Sequence, residues 1–203
     1  MAEGVESPAS QRTAPRRSVL ALAVLSMLTE EPMHAYRMQQ LIKERHKDDV
    51  VNVSQRNAIY QTIERLLRDG LIRIRSTERN ERRPERITYE ITDAGRRTLK
   101  EWLRAMLSTV RNEFPEFPAA LSFLPNLTTT EAIEALTTRE GNLVGRLVEL
   151  DRGLAEGNEF LPRIFLVESE YLRQMVAAEL AYVRGLIADL RAKRVTWPDD
   201  YWA

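Results

Sequence analysis

The apolar run from Val19 to Leu28, which follows directly after Arg16 and Arg17, constrains the fold more than any other stretch of the sequence. An apolar segment after paired arginines is how an export signal begins, so this run is either a cleaved signal or the first helix of a domain. A signal needs small residues just after its apolar run, whereas Leu28 is followed by Thr-Glu-Glu-Pro. The run is also about half as long as a membrane-spanning helix. The sequence therefore favours a buried helix in a cytoplasmic protein without a membrane partner.

Helical spacing supports this interpretation. Ser18 is a suitable N-cap, and Pro32 ends the helix. Beyond the proline, the stretch MHAYRMQQLIKERHK resumes helical spacing and predicts a second helix. The apolar positions of the two helices are Leu20, Val24, Met27 and Leu28, followed by Ala35, Met38, Leu41 and Ile42.

The stretch SQRNAIYQTIERLLRDG predicts a third helix, capped by Ser54 and closed by Gly70 in the left-handed conformation. After it, LIRIR and RITYEIT alternate as strands around the polar decapeptide STERNERRPE, which predicts a hairpin with a long tip. A fourth helix, capped by Thr92 or Asp93, follows. The apolar stripe of the third helix is Ile59, Ile63, Leu66 and Leu67. That of the fourth helix is Leu99, Trp102, Leu103 and Met106. This order of elements is that of a winged helix-turn-helix.

Charge and composition narrow the classes of function. Residues 1–108 hold 20 Lys and Arg against 15 Asp and Glu, while residues 109–203 hold 10 against 15, so the first half suits a polyanionic partner. The chain has no cysteine, which excludes disulfides, thiolate zinc sites and cysteine nucleophiles. Neither histidine stands in a metal-ligand pattern. We therefore expect no metal, no cofactor and no catalytic site.

The start of the third helix carries side chains that can read DNA bases. Arg pairs with guanine, and Gln and Asn pair with adenine, in the major groove. These exposed side chains are expected to be Gln55, Arg56, Asn57 and Gln61, although such residues are also common at ordinary helix starts. The hairpin holds six arginines and three glutamates between Arg73 and Arg86, so it is either a wing that contacts phosphates or a partly self-paired loop.

From Leu20 to Leu103 the sequence resembles the winged helix domain of PadR-family transcriptional regulators. The matching blocks are LSMLTEEPMHAYRMQQLI, SQRNAIYQTIERLLRDGLI and RRPERITYEITDAGRRTLKEW. Where the family usually has His-Gly-Tyr this chain has Ala35 in the middle, and Gln61 replaces the proline that commonly follows the tyrosine of the third helix. The resemblance implies a repressor that binds double-stranded DNA at a palindromic operator as a homodimer and is released by a small-molecule effector.

The resemblance also implies roles for individual residues. Tyr60 is expected either near the DNA backbone or packed against the second helix. Trp102 is expected either to stack on an effector or to anchor the core or an interface. Taken together, the predicted DNA contacts are Ser54, Gln55, Arg56, Asn57, Tyr60, Gln61, Tyr36, Arg79, Arg82 and Arg83. The alternative function is a winged helix that binds proteins and has no operator of its own.

The second half of the chain predicts two long helices. One runs through TTTEAIEALTTREGNLVGRLVELDRGLAEG, and the other extends from about Pro162 to Arg194. The apolar seam of the last helix is Leu172, Val176, Leu180, Val183, Ile187 and Leu190. A seam of this length favours a homodimer over an intramolecular bundle. The predicted organisation is a disordered basic arm at 1–17, a winged helix DNA-binding domain at 18–108, a Pro-containing joint at 109–129 and a helical dimerisation domain at 130–203.

Overall fold

The computed structural model describes residues 15, 17–47, 50–51, 57–80 and 83–198, with the backbone alone for 78–80 and 83–85. The chain divides into two compact units, residues 1–111 and 112–203. Throughout the described ranges the chain is mainly helical, with one three-stranded antiparallel sheet, which confirms the predicted fold class. None of the described helices combines the length and apolarity that a bilayer span requires.

The apolar run forms helix α1, Val19–Glu30, in the core of the first unit. The hydroxyl oxygen of Ser18 accepts a hydrogen bond from the amide of Ala21 at 3.1 Å, so Ser18 is the N-cap that the sequence predicted. The buried side of this helix is wider than predicted, since Ala21 and Leu25 are fully buried whereas Leu20 is only partly buried. Neighbouring elements therefore cover α1 on more than one face.

Helix α2, Ala35–Glu44, buries the four apolar positions predicted for it. Helix α3, Ala58–Arg68, has Asn57 at its N-cap position, so it begins three residues later than a Ser54 cap implies; Ser54 itself lies outside the described residues. Gly70 has φ 70°, as the left-handed cap requires. Its amide donates to the carbonyl of Leu67 at 3.0 Å, and the amide of Leu71 donates to Leu66 at 2.9 Å, which is the Schellman pairing.

The sheet differs from the predicted hairpin in two ways. Its strands are β1, Met33–His34, β2, Ile72–Asn80, and β3, Arg83–Ile91, in the order β1-β3-β2. The two-residue strand β1 was not predicted. The prediction of a long tip was also wrong, because the two strands are paired as far as Asn80 and Arg83. Alternation of apolar and polar side chains indicates a strand only where one face of the sheet is buried. Residues 73–77 are all exposed, so this part of the hairpin has no apolar pattern and is held by backbone hydrogen bonds between the strands.

Helix α4, Asp93–Ser108, is capped by Thr92, whose hydroxyl oxygen accepts from the amide of Gly95 at 3.0 Å. Its predicted apolar stripe is buried only in its first half. Leu99 and Trp102 belong to the core, whereas Leu103 and Met106 are exposed. Helical spacing indicates which side chains share a face, but the neighbours that cover this face extend only as far as Trp102.

The second unit consists of helix α5, Glu116–Ser122, helix α6, Thr129–Asn158, and helix α7, Val167–Arg191, with short 3-10 turns at Leu124–Asn126 and Arg163–Phe165. A capping box between Thr128 and Glu131 starts α6. The last helix is shorter than predicted, because the 3-10 turn precedes it. The core of this unit is formed by Ala132, Leu136, Val183, Ile187 and Leu190, with Phe117, Leu124 and Trp197 packed against it.

Candidate nucleic-acid interface

The start of α3 presents polar side chains to solvent. Asn57 and Gln61 are exposed, and Tyr60 retains 48% of its surface. They point outward because Ile59 and Ile63, on the opposite side of the same helix, are buried in the core. Of the predicted contacts in this region, Ser54, Gln55 and Arg56 lie outside the described residues.

Tyr36 lies at the start of α2 and is 60% exposed, with its ring 6.4 Å from that of His34. The His34 Nδ1 accepts a hydrogen bond from the amide of Arg37 at 3.0 Å and so caps α2. Because Nδ1 accepts this hydrogen bond, it carries no proton, and the ring proton of the neutral imidazole is on Nε2. The sequence missed this role, because the usual N-cap residues are Ser, Thr, Asp and Asn.

The structure brings α3 and the hairpin together at Tyr89 on β3. Burial raises the pKa of the Tyr89 phenol, and the nearby Tyr60 and Glu64 raise it further. The Tyr89 hydroxyl therefore stays protonated at neutral pH. Tyr60 is about half exposed, so its ring is open to solvent.

Ion pairs neutralise part of the basic hairpin. The Nε of Arg73 lies 2.7 Å from Glu90 Oε1, and the Nη1 of Arg75 lies 3.6 Å from Glu90 Oε2. Both arginines at the base of the hairpin are therefore paired, with a glutamate that lies outside the stretch from Arg73 to Arg86. Arg86 is exposed. Toward the tip, only the backbone of Arg79 and Arg83 is described, and Arg82 lies outside the described residues.

Comparisons with known proteins agree with this geometry. Residues 24–101 match the transcriptional regulator PadR-like family. The winged domain belongs to that family. The prediction of a PadR-type transcriptional regulator is thereby confirmed at the level of the family.

Solved PadR structures share the fold across both units. Bacillus subtilis PadR in complex with operator DNA aligns with TM-score 0.68 and 20% identity over 85% of this chain and 99% of that one. The same protein in complex with p-coumaric acid aligns with TM-score 0.69 and 18% identity over 86% and 99%. A PadR-like regulator from Bacillus cereus gives 0.60 and 16% over 86% and 99%. Among curated proteins, none matches this sequence.

One contact of the PadR-like domain was not visible in the sequence. The Nη2 of Arg65, on the inner side of α3, donates to the Ser18 hydroxyl oxygen at 2.9 Å. The same oxygen caps α1, so one hydroxyl joins the first helix to the third. The Arg65 Nε is buried and has no hydrogen-bond partner among the described residues. No periodicity rule links positions 47 residues apart.

Trp102 lies within the core of the PadR-like domain and keeps 9% of its surface. This placement is that of a core anchor, the second of the two roles considered for it. Stacking on an effector therefore stays a prediction for this residue, one that would require the core beside α4 to open.

Proposed function

We propose that this protein is a sequence-specific DNA-binding transcriptional repressor that acts in the cytoplasm as a homodimer and has no enzymatic activity. The observation that carries the proposal is the division of α3 into two sides, with Ile59 and Ile63 buried and Asn57 and Gln61 exposed. An exposed polar helix start on a winged domain fits the major groove. The operator complex of the structurally similar Bacillus subtilis PadR supports the same use.

Each part of the interface has a separate task in this proposal. The amides of Asn57 and Gln61 read adenine edges, and Arg56 reads guanine. Tyr36, Tyr60 and the arginines of the hairpin tip contact phosphates, which fix the register of the protein but carry no sequence information. Arg73 and Arg75 contribute less to phosphate binding than two unpaired arginines would, because Glu90 forms an ion pair with both.

A second apolar stripe on α7 supports the homodimer. Leu180, Val183 and Ile187 are buried against α6, as an intramolecular bundle also requires. On a different face of the same helix, spaced at four, four and seven residues, four further side chains are exposed. They are Val167, Tyr171, Met175 and Tyr182. A single copy leaves this stripe in water, so we assign it to a second copy.

Release by a small-molecule effector belongs to the same proposal. A structurally similar regulator, Bacillus subtilis PadR, binds p-coumaric acid in its crystal structure. In a dimer, an effector that favours one spacing of the two winged domains over another shifts the population that fits the operator. We assign no effector contact beyond the predicted Trp102.

The test is fluorescence anisotropy on duplex DNA from the upstream region of the protein's own gene, beside a scrambled duplex at near-physiological salt. Tight binding to the first and weak binding to the second supports an operator-specific regulator. Arg56→Ala should then reduce discrimination between sequences, whereas Arg82→Ala with Arg83→Ala should weaken binding to all sequences and flatten its salt dependence. Absence of binding to either duplex would favour the protein-interaction alternative.

A further inference from the structure

The exposed side of α3 carries a carboxylate beside the predicted base contacts. Asn57, Tyr60, Gln61 and Glu64 are all exposed and are spaced i, i+3, i+4 and i+7, so they share one face of the helix. Side chains with this spacing can reach base edges when a recognition helix lies in the major groove. Glu64 lies about 10 Å along the helix axis from Asn57, which is the length of about three base-pair steps.

Glu64 takes no part in the ion pairs that stabilise the first unit. Glu30 and Glu90 each hold an arginine, at 2.6 and 2.7 Å. Within the described part of the chain Glu64 forms no ion pair, although Arg68 stands at i+4, a spacing that suits helical ion pairs. The Nε of Arg68 instead lies 3.9 Å from Oδ1 of Asp69. The Glu64 carboxylate is therefore open to a donor from outside the described chain.

Glu64 also lies close to the hairpin. Burial is the main cause of the raised pKa of Tyr89 on β3, and the nearby Tyr60 and Glu64 add to it. A charge has such an effect only on a group in its neighbourhood. Helix α3 and β3 both belong to the first unit, so this proximity is a property of the winged domain itself. A duplex that contacts both α3 and the hairpin, as proposed above, passes Glu64.

A carboxylate at this place discriminates strongly between its possible neighbours in a duplex. It repels phosphates, which weakens binding to DNA of any sequence. An ionised carboxylate only accepts hydrogen bonds, and in the major groove cytosine offers it the N4 amino group. Guanine and thymine present acceptors there, and adenine presents an acceptor beside its amino donor. Glutamate therefore favours cytosine both by attraction to that base and by repulsion from the others.

We propose that Glu64 is a specificity-determining residue that accepts a hydrogen bond from the N4 amino group of a cytosine in each half-site of the operator. The inference rests on the DNA-binding role of α3 in the proposed function and adds a base contact to it. Asn57 and Gln61 select adenine and Arg56 selects guanine, so Glu64 supplies a selection that these residues lack. Its repulsion of phosphates lowers the binding of non-operator DNA.

Anisotropy titrations on the footprinted duplex, with each base pair changed in turn, test this role. At one position of each half-site, the wild type should bind cytosine about tenfold more tightly than adenine. In Glu64→Gln this preference should disappear or reverse, because an amide can donate and accept as adenine requires. The same substitution should strengthen binding to the scrambled duplex. Glu101→Gln, which removes an exposed carboxylate from α4, is the matched control and should leave the base preference unchanged.

Two results would overturn the inference while the proposed function stands. One is an identical base preference in the wild type and in Glu64→Gln. The other is an equal gain in affinity for every duplex, which is the effect of lost repulsion alone. If the wild type binds the upstream and scrambled duplexes equally, the proposed function fails and the inference fails with it. Circular dichroism verifies that each variant is folded.

Discussion

Gly95 in α4 lies so close to Leu71 that a Cβ atom on Gly95 would be 2.1 Å from the Leu71 carbonyl oxygen and 2.8 Å from Cγ1 of Ile91. The Leu71 oxygen cannot move aside freely, because it accepts hydrogen bonds from both the amide and the hydroxyl of Thr92, each at 3.1 Å. The helix therefore meets the base of the hairpin at a point where only glycine fits.

Gly95→Ala should lower the free energy of unfolding of the first unit by about 3 kcal/mol or more, because backbone must shift to admit the methyl group. Gly141→Ala makes the same change on α6, where a Cβ would meet nothing within 4 Å. That control should gain about 0.5 to 1 kcal/mol from helix propensity. Calorimetric unfolding of both variants measures the difference. Equal stability of the two would contradict the packing described for Gly95.

Thr92→Val should destabilise the first unit by about 1 to 2 kcal/mol, since valine keeps the shape but loses the N-cap of α4. It also removes the hydroxyl that donates to the carbonyl of Gly70 at 2.8 Å. Thr92→Ser retains the hydroxyl and serves as the control, with a smaller loss expected. Urea unfolding of the three proteins ranks them, and a serine variant as unstable as the valine variant would exclude the cap as the cause.

The ion pair between Glu30 and Arg45 predicts an acid-dependent contribution to stability. The two hydrogen bonds from the Arg45 guanidinium, at 2.6 and 2.7 Å, hold the pKa of Glu30 below its ordinary value of 4.5. A lowered pKa stabilises the folded state above 4.5, and this contribution is lost as the pH falls through the folded-state pKa. Both side chains are partly exposed, so it stays below about 1 kcal/mol.

Glu30→Gln should therefore be less stable than the wild type at neutral pH, and the two should converge as the pH falls through the lowered pKa of Glu30. Urea unfolding across this range measures the difference. Glu31→Gln, at the neighbouring exposed position, should show a smaller effect. A difference between wild type and Glu30→Gln that does not change with pH would show that the carboxylate charge is not its source.

Glu90→Gln should strengthen non-specific DNA binding, because it frees Arg73 and Arg75 from their shared carboxylate. If the base of the hairpin lies along the duplex, the slope of log K against log salt steepens by about 1 to 2. Anisotropy titrations at several salt concentrations measure this slope. Glu101→Gln on α4 is the control for a lost negative charge. An unchanged slope in the Glu90 variant would place the hairpin base away from the DNA.

Much of the winged domain could be predicted because its signals are local. The positions Ala35, Met38, Leu41 and Ile42 follow the helical period, and all four are buried. Gly70 adopts the left-handed conformation that its place after a helix predicts. The exposed state of Asn57 and Gln61 follows from the same period, since they lie opposite the apolar stripe of α3. Whether these side chains contact DNA stays a prediction.

The sequence by itself determined the order of the elements, the faces of most helices and the residues offered at the start of α3, because these depend on neighbours within one or two turns. Only the tertiary structure decided that His34 caps α2 and that β1 pairs with β3. It also decided that Arg65 binds Ser18 and that Glu90 neutralises Arg73. Each of these facts joins groups that meet only once the chain is folded, or uses a residue type that local rules do not anticipate. That is why the amphipathic pattern identified the exposed side of α3 but not the ion pairs at the base of the hairpin.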